Sequence, residues 1–192
     1  MCIWSGIASL LRRLHTFVRE HIGLADFYFT IAAGRLVQRG RRMTFASAGH
    51  SPTMLVPNGR VHRLESRSAI LGGLVDEPPS ESVEEVDLIS GDRLVLYTDG
   101  FIEVFNKCDE MLGIEGLEEL VRGSAKKSLP EMKQLILDGV AAWRHGPLTD
   151  DMSPVLSNFV RSLRATGARA ANPGFDGDSE DAGLSLCRIT SN

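Results

Sequence analysis

The sequence has few cysteines, no excess of positive charge and no long apolar run. Its three cysteines, Cys2, Cys108 and Cys187, are odd in number and far apart, which excludes a disulfide framework and a CxxC metal clip. A formal net charge of −4 excludes a dedicated nucleic-acid binder, because such affinity depends on cations that neutralise phosphates. Arg12 and Arg13 interrupt the apolar start of the chain well short of the roughly 20 residues of a membrane span, and no basic region precedes it as in a signal peptide. We therefore expect a cytoplasmic protein that binds neither nucleic acid nor membrane.

Length and apolar content predict one folded domain followed by a polar tail. A chain of 192 residues is close to the roughly 150 residues of one domain, and a hydrophobic content of 43% can supply a core. Between Thr166 and Gly183 the chain is rich in Gly, Ala, Asp and Ser, and Phe175 is its one large apolar residue. Such a composition cannot bury enough apolar surface to fold. We therefore predict a domain over 1–161 and a disordered tail over 162–192.

Short β-type runs follow one another in the first half of the chain. The predicted strands are FYFTIAA (27–33), MTFASAG (43–49), TMLV (53–56), RVHRL (60–64), VEEVDL (83–88) and RLVLYT (93–98). Asn58 and Gly59 lie between two of these runs, and an Asn-Gly pair supplies the positive φ angles of a tight turn. We therefore predict a β-hairpin over 53–64.

Helical periodicity flanks the strands on both sides. Apolar residues recur at three- and four-residue steps over 3–18, 114–121 and 132–143, which predicts three amphipathic helices. Ser128, three residues before a glutamate, predicts a capping box at the start of the third helix. We expect the apolar residues of that helix, Trp143 included, to lie in the core.

Two acidic segments are the candidates for chemistry. RLVLYTDGFIEVFN (93–106) carries Asp99 at the end of an apolar strand, and GPLTDDMS (146–153) carries Asp150 and Asp151 after a helix. Adjacent carboxylates repel unless a cation or N–H donors lie between them, and Mg²⁺ and Mn²⁺ prefer oxygen ligands. By position alone, each segment is more typical of an ordinary turn or a solvated loop than of a metal site.

Charge is distributed unevenly along the chain. Residues 1–42 hold seven arginines and two acids, whereas the remainder is strongly acidic. This pattern is typical of solvated basic faces, but it is also compatible with an acidic site that attracts cations later in the chain.

Five segments, in this order, resemble one enzyme family. They are FASAGHSPTMLV (45–56), LGGL (71–74), GDRLVLYTDGFIEVFN (91–106), GIEGLEELV (113–121) and GPLTDDMS (146–153). Together they resemble the PPM-type protein phosphatases, type 2C-like, of the bacterial SpoIIE-like and RsbU-like branch. The resemblance extends from the first predicted helix to about Ser153.

The resemblance implies a fold, a metal site and a reaction. The fold is α+β, the PPM-type α-β-β-α sandwich of two antiparallel sheets flanked by helices, with two Mn²⁺ or Mg²⁺ ions between the sheets. In this family the ions activate water for attack on the phosphorus of a phosphoserine or phosphothreonine. Asp99 and Asp150 match the family's metal-binding aspartates and are the predicted catalytic pair. The predicted metal site also includes Gly100, which lets the chain pass close to the site, and Asp151, whose expected role is hydrogen bonding within the loop.

The resemblance further implies a protein serine/threonine phosphatase that acts on a phosphorylated signalling protein of the anti-anti-sigma-factor type. A homodimer is an assembly that the sequence leaves open. Two earlier motifs of the family, a Gly-Gly-Asp opening and a G-D-x-x-G-H-G segment, do not occur in the sequence. We therefore expect an N-terminally truncated domain that lacks the N-terminal strands and some metal ligands. The alternative function is a noncatalytic regulatory or binding remnant, or an incomplete fragment of a longer phosphatase.

Pro154, Ser157 and Asn158 fall where the family continues after DDMS into a hydrophobic strand. We expect these residues to interrupt that strand, since a proline inside a central strand removes a hydrogen bond from the ladder.

Overall fold

Strands whose residues are mostly buried form two antiparallel sheets, and helices with one apolar face cover them. The computed structural model describes residues 5–22, 28–37, 41–72, 76, 79, 83–148, 150–159 and 185–191. The helices are α1 (Ser5–Phe17), which continues into a π-helical turn (Val18–Ile22), α2 (Gly113–Ser124) and α3 (Leu129–Trp143). The strands are β1 (Tyr28–Val37), β2 (Arg42–Ala48), β3 (Thr53–Val56), β4 (His62–Leu64), β5 (Leu71–Gly72), β6 (Glu84–Asp87), β7 (Arg93–Tyr97), β8 (Pro154–Asn158) and β9 (Ser185–Ser191).

The strands divide between two sheets. In the first sheet the order is β5-β1-β2-β6, and β9 also pairs with β1. In the second sheet the order is β4-β3-β7-β8, so that β7 lies between two neighbours. Every pair of strands is antiparallel.

Three apolar interfaces join the sheets and helices into four layers. Leu11 of α1 packs with Ile31 on the outer face of the first sheet. Phe45 and Leu96 meet between the two sheets, and Leu117 of α2 lies on the outer face of the second sheet. All five side chains are at most 2% exposed, and each contributes about 1.5–3 kcal/mol by its burial. The helix-sheet-sheet-helix arrangement confirms the predicted α+β sandwich of two antiparallel sheets flanked by helices.

Local sequence signals are confirmed at one turn and one helix start. β3 and β4 form the predicted hairpin, and Asn58 (φ 49°) and Gly59 (φ 79°) supply the positive φ angles of its turn. At the start of α3 the Ser128 hydroxyl accepts a hydrogen bond from the Glu131 N–H, and the Glu131 carboxylate accepts one from the Ser128 N–H. This capping box satisfies donors that the first helical turn leaves unpaired.

Two expectations from the sequence are wrong. Pro154, Ser157 and Asn158 do not interrupt the strand after DDMS: Pro154 begins β8, opposite Tyr97, and the other two residues lie within it. β8 is at the edge of its sheet, where the first residue need not donate to the ladder. Trp143 is not a core residue: it is the last residue of α3 and is 37% exposed, and Leu135 on the same helix is 43% exposed.

Most of the predicted disordered tail lies outside the described residues. Ser185–Ser191 is the described part of that tail, and it differs from the expectation because it forms a strand antiparallel to β1. No helix among the described residues is long and apolar enough to cross a membrane.

Candidate functional site

Asp99 stands at the end of a buried strand. The side chains of β7 are at most 2% exposed over its last four residues, and the chain then turns at Thr98 into a short 3-10 helix. The Asp99 carbonyl accepts hydrogen bonds from the N–H groups of Ile102 (2.8 Å) and Glu103 (3.0 Å). Phe101, in the same turn, is fully buried. The strand and the turn therefore hold the exposed Asp99 side chain at a fixed place.

The segment with Asp150 and Asp151 lies against that turn. The Thr98 hydroxyl donates to the Asp151 carbonyl at 2.6 Å and accepts from the Ser153 N–H at 3.0 Å. Thr98 is 7% exposed, so water competes little for these bonds. A single hydroxyl thus joins two segments that are more than fifty residues apart in sequence.

Gly100 allows the two segments to touch. A Cβ atom built on Gly100 would lie 2.5 Å from the carbonyl oxygen of Asp151 and 3.4 Å from the carbonyl carbon of Asp150. Cβ contacts below 3.0 Å essentially never occur, so glycine is required by the close approach of the backbones. The structure therefore brings Asp99, Gly100, Asp150 and Asp151 to one place.

The carboxylates of this site have local donors. The Asp99 Oδ1 atom accepts from the Gly100 N–H at 3.2 Å, and the Asp150 Oδ1 atom accepts from the Asp151 N–H at 2.7 Å. Asp151 contributes its own main-chain N–H and carbonyl to the loop. Such bonds orient each carboxylate while its remaining lone pairs stay available to a cation.

The chemistry of the donors suits a hard divalent cation. Asp99 and Asp150 offer exposed carboxylates on touching segments, and an ion such as Mg²⁺ keeps several waters and takes one or two protein carboxylates. Within the part of the chain that the structure describes, no group of three or more His, Cys, Asp or Glu residues could hold a metal ion. A second ion would need ligands beyond this group.

Two supporting residues were not predicted from the sequence. The Thr98 hydroxyl carries the contact between the segments, and nothing in the letters YTDG distinguishes it from a solvated hydroxyl. Tyr97 packs edge-to-face on Phe101 with 6.4 Å between ring centroids, and this contact in the core fixes the turn. Burial raises the pKa of the Tyr97 hydroxyl, so this group stays neutral.

The layers and the sheet order match the fold of PPM phosphatase domains. Residues 4–159 match the family model "Stage II sporulation protein E (SpoIIE)". The chain therefore belongs to this family, and the predicted resemblance is confirmed. No curated protein sequence matches the chain significantly.

Three solved structures with a similar fold come from bacteria. The SiaA-PP2C domain of Pseudomonas aeruginosa superposes with a TM-score of 0.67 at 23% identity, covering 79% of this chain and 60% of that one. The RsbU and RsbW domains of Rv1364c from Mycobacterium tuberculosis give 0.65 at 19% identity, covering 81% and 42%. The Mn-presoaked phosphatase domain of the cell fate determinant SpoIIE from Bacillus subtilis gives 0.56 at 16% identity, covering 81% and 68%. These likenesses establish the fold, and this chain spans less than two thirds of the first two structures.

Proposed function

We propose that this chain is a metal-dependent protein serine/threonine phosphatase domain that acts on a phosphorylated signalling protein of the anti-anti-sigma-factor type. The observation that carries the proposal is the contact between the Asp99 turn and the Asp150 segment, made through Thr98 and Gly100. Membership of the SpoIIE family and the fold shared with the SiaA, RsbU and SpoIIE phosphatase domains support it.

The cofactor in this proposal is Mn²⁺ or Mg²⁺, held by Asp99 and Asp150. Carboxylate oxygens are the ligands that these hard cations prefer, and the Bacillus SpoIIE domain was soaked with manganese. When bound, such an ion supplies Lewis acidity toward a phosphoryl oxygen and lowers the pKa of water.

The residues around the two aspartates position them rather than react. The Thr98 hydroxyl fixes the Asp151 carbonyl and the Ser153 N–H, and so fixes the segment in which Asp150 stands. Gly100 admits that segment to within contact of the Asp99 turn. Positioning of this kind reduces the reorganisation that metal binding would otherwise need.

A second candidate function is a noncatalytic binding module. It is favoured by the lack of a group of three or more potential metal-ligating side chains among the described residues. A module of this kind would keep the sandwich and the Asp99 turn but would not turn over a phosphate ester.

Hydrolysis of p-nitrophenyl phosphate in the presence of Mn²⁺ separates these two functions. We expect the full chain to hydrolyse the ester and the Asp99→Asn and Asp150→Asn variants to lose at least tenfold in rate. The matched control is Asp138→Asn, an exposed aspartate on α3 whose carboxylate accepts from Gln134 at 2.8 Å. Equal rates for all four proteins, or no Mn²⁺-dependent rate in the unmodified chain, would contradict the phosphatase proposal.

A further inference from the structure

A rigid hairpin next to the site exposes large apolar side chains. After the Asp99 turn the chain doubles back, with backbone hydrogen bonds from Leu112 N to Val104 O (2.9 Å) and from Gly113 N to Ile102 O (2.9 Å). We refer to residues 102–113 as the site hairpin. Val104 and Leu112 are buried in the core under α2 and α3, so the hairpin is anchored.

The tip of the site hairpin is ordered by one asparagine. The Asn106 carboxamide oxygen accepts from the N–H groups of Cys108 (2.8 Å) and Glu110 (3.1 Å), and its amide donates to the Glu110 carboxylate (2.8 Å). Asp109 completes the turn with φ 61°. The exposed side chains of this hairpin are therefore carried by an ordered backbone.

Three large apolar side chains form a cluster on this hairpin and at the end of α3. Phe105 and Met111 are bridge partners in an antiparallel pair, which places their side chains on the same face. The Trp143 indole N–H donates to the carbonyl of Glu110, next to Met111, at 3.2 Å. The exposed fractions are 44% for Phe105, 51% for Met111 and 37% for Trp143. We call these three residues the apolar cluster.

The apolar cluster adjoins both segments of the candidate metal site along the chain. The site hairpin begins directly after the Asp99 turn, and the segment from Trp143 leads to Asp150 within seven residues. The His145 N–H donates to the Phe105 carbonyl at 2.7 Å, which holds that segment on the hairpin. The apolar cluster is therefore attached to both segments that carry the candidate metal site.

The surroundings of the apolar cluster are acidic. The exposed carboxylates on these two segments are Asp99, Glu103, Asp109, Glu110, Asp150 and Asp151. The cations are Lys107, which is exposed, and Arg144, which is half-buried. The surface therefore carries an excess of negative charge, even if a divalent ion neutralises the pair Asp99 and Asp150. Its complement is a segment that carries both cations and a large apolar side chain.

We propose that the apolar cluster and its acidic surroundings are the docking surface for the polypeptide segment of the substrate that flanks the phosphorylated residue, and that this segment is basic with an apolar anchor. The identity of the occupant as a phosphatase substrate rests on the proposed function. Apolar clusters with a charged rim are the usual form of protein-binding sites, in which a few large side chains carry most of the affinity.

Binding of synthetic peptides tests the docking surface without metal or phosphate. The probe is a labelled serine peptide with lysines and one phenylalanine around the serine, compared with the same peptide carrying glutamates in place of the lysines. Fluorescence anisotropy in EDTA is expected to show binding of the lysine peptide that weakens with salt, and binding of the glutamate peptide at least about tenfold weaker. Equal binding of both peptides, or no binding of either, would overturn the proposal.

Variants separate the cluster from other exposed apolar residues. Phe105→Ser/Met111→Ser is expected to weaken binding of the lysine peptide about tenfold or more, as loss of central contacts does. The matched control is Ile89→Ser, since Ile89 is 54% exposed on a turn between two strands and should leave binding unchanged. Asp109→Asn/Glu110→Gln keeps the hairpin, because asparagine tolerates positive φ, and should reduce the preference for the lysine peptide. Unchanged binding in both double variants would contradict the docking surface.

The outcome is independent of catalysis. The peptide experiment contains no phosphate ester and no metal. If the chain binds the lysine peptide through Phe105 and Met111 but does not hydrolyse p-nitrophenyl phosphate, the docking surface is supported and the proposed function is contradicted. If the chain hydrolyses the ester but binds both peptides equally, the proposed function is supported and the docking surface is contradicted.

Discussion

Gly100→Ala should damage both the stability of the chain and its affinity for Mn²⁺. The added Cβ would lie 2.5 Å from the Asp151 carbonyl oxygen, about 0.9 Å closer than the 3.4 Å at which ordinary contacts begin. It would also lie 3.1 Å from the Asp151 carbonyl carbon. Both atoms belong to the backbone, so no side chain can rotate away, and the whole segment must retreat.

The free-energy cost of moving the Asp151 segment away from the added Cβ can be worked out from the structure. The Thr98 hydroxyl holds the Asp151 carbonyl at 2.6 Å, and a shift of that size moves the pair to the limit of hydrogen bonding. Overpacking of a well-packed site costs about 1–3 kcal/mol, and a weakened hydrogen bond adds about 1 kcal/mol. The two costs together are about 2–4 kcal/mol. For a domain of this size, each kcal/mol lowers Tm by about 2–4 °C, so we expect Gly100→Ala to lower Tm by about 4–16 °C.

Gly123→Ala is a control in which the expected change in stability has the opposite sign. Gly123 lies in α2 with nothing within 4 Å of an added Cβ, and alanine there should stabilise the helix by up to about 1 kcal/mol. Thermal unfolding followed by circular dichroism, with Mn²⁺ titrations at a temperature where all chains are folded, measures both effects. Gly100→Ala should lose affinity for Mn²⁺, and Gly123→Ala should not. A Gly100→Ala chain with unchanged Tm and unchanged Mn²⁺ affinity would refute the close approach of the two segments.

Three further changes have defined outcomes. Thr98→Val should cost about 1–3 kcal/mol in urea unfolding, because the Asp151 carbonyl and the Ser153 N–H lose their partner in a partly buried contact, whereas Thr98→Ser should be close to the parent. Ser128→Ala should cost about 1 kcal/mol by loss of the α3 cap, and Ser128→Asp should restore most of it. Burial, with Arg19 adding a smaller effect, lowers the pKa of His15 below its ordinary 6.5, and its Nδ1 accepts from the Gly72 N–H at 3.3 Å. The unfolded chain therefore binds more protons at His15 than the folded chain does. The contribution of neutral His15 to the free energy of unfolding should be fully present above about pH 6.5, and the free energy of unfolding should fall as the pH drops below that value. His15→Asn should remove that part of the pH dependence, and an unchanged profile would exclude His15 as its source.

Features specified by neighbouring residues could be predicted from the sequence. The hairpin of β3 and β4 is set by Asn58 and Gly59, and the start of α3 by Ser128 with its glutamate, because both devices act within a few residues. The helices and most strands follow from the apolar period in the same way. The family resemblance then supplied the order of the layers.

Features that depend on distant contacts could not be predicted. β5 is two residues long, and its pairing with Tyr28 and Phe29 is invisible in its own sequence. The effect of Pro154 on its strand could not be predicted, because it depends on whether β8 is central or at an edge of the sheet. Trp143 has the helical period of a core residue, yet the helix ends there and its ring lies on the backbone of the site hairpin.

For the site, the sequence indicated the two acidic segments but not what joins them. Asp99 and Asp150 were assigned through the resemblance, since turn and loop positions alone do not distinguish ligands from solvated carboxylates. The role of the Thr98 hydroxyl and the exposed cluster on the site hairpin emerge only when the chain is folded, because each depends on contacts between residues that are distant in sequence.

The central claim is that Asp99 and Asp150 form one site for a divalent cation. Isothermal titration of the full chain with Mn²⁺ tests it most directly, with Asp99→Asn, Asp150→Asn and the double variant measured alongside Asp138→Asn. We predict saturable binding by the unmodified chain and by Asp138→Asn, loss of that binding in each single site variant, and no further loss in the double variant. Mn²⁺ binding that survives both single substitutions, or that is lost equally in Asp138→Asn, would contradict the claim.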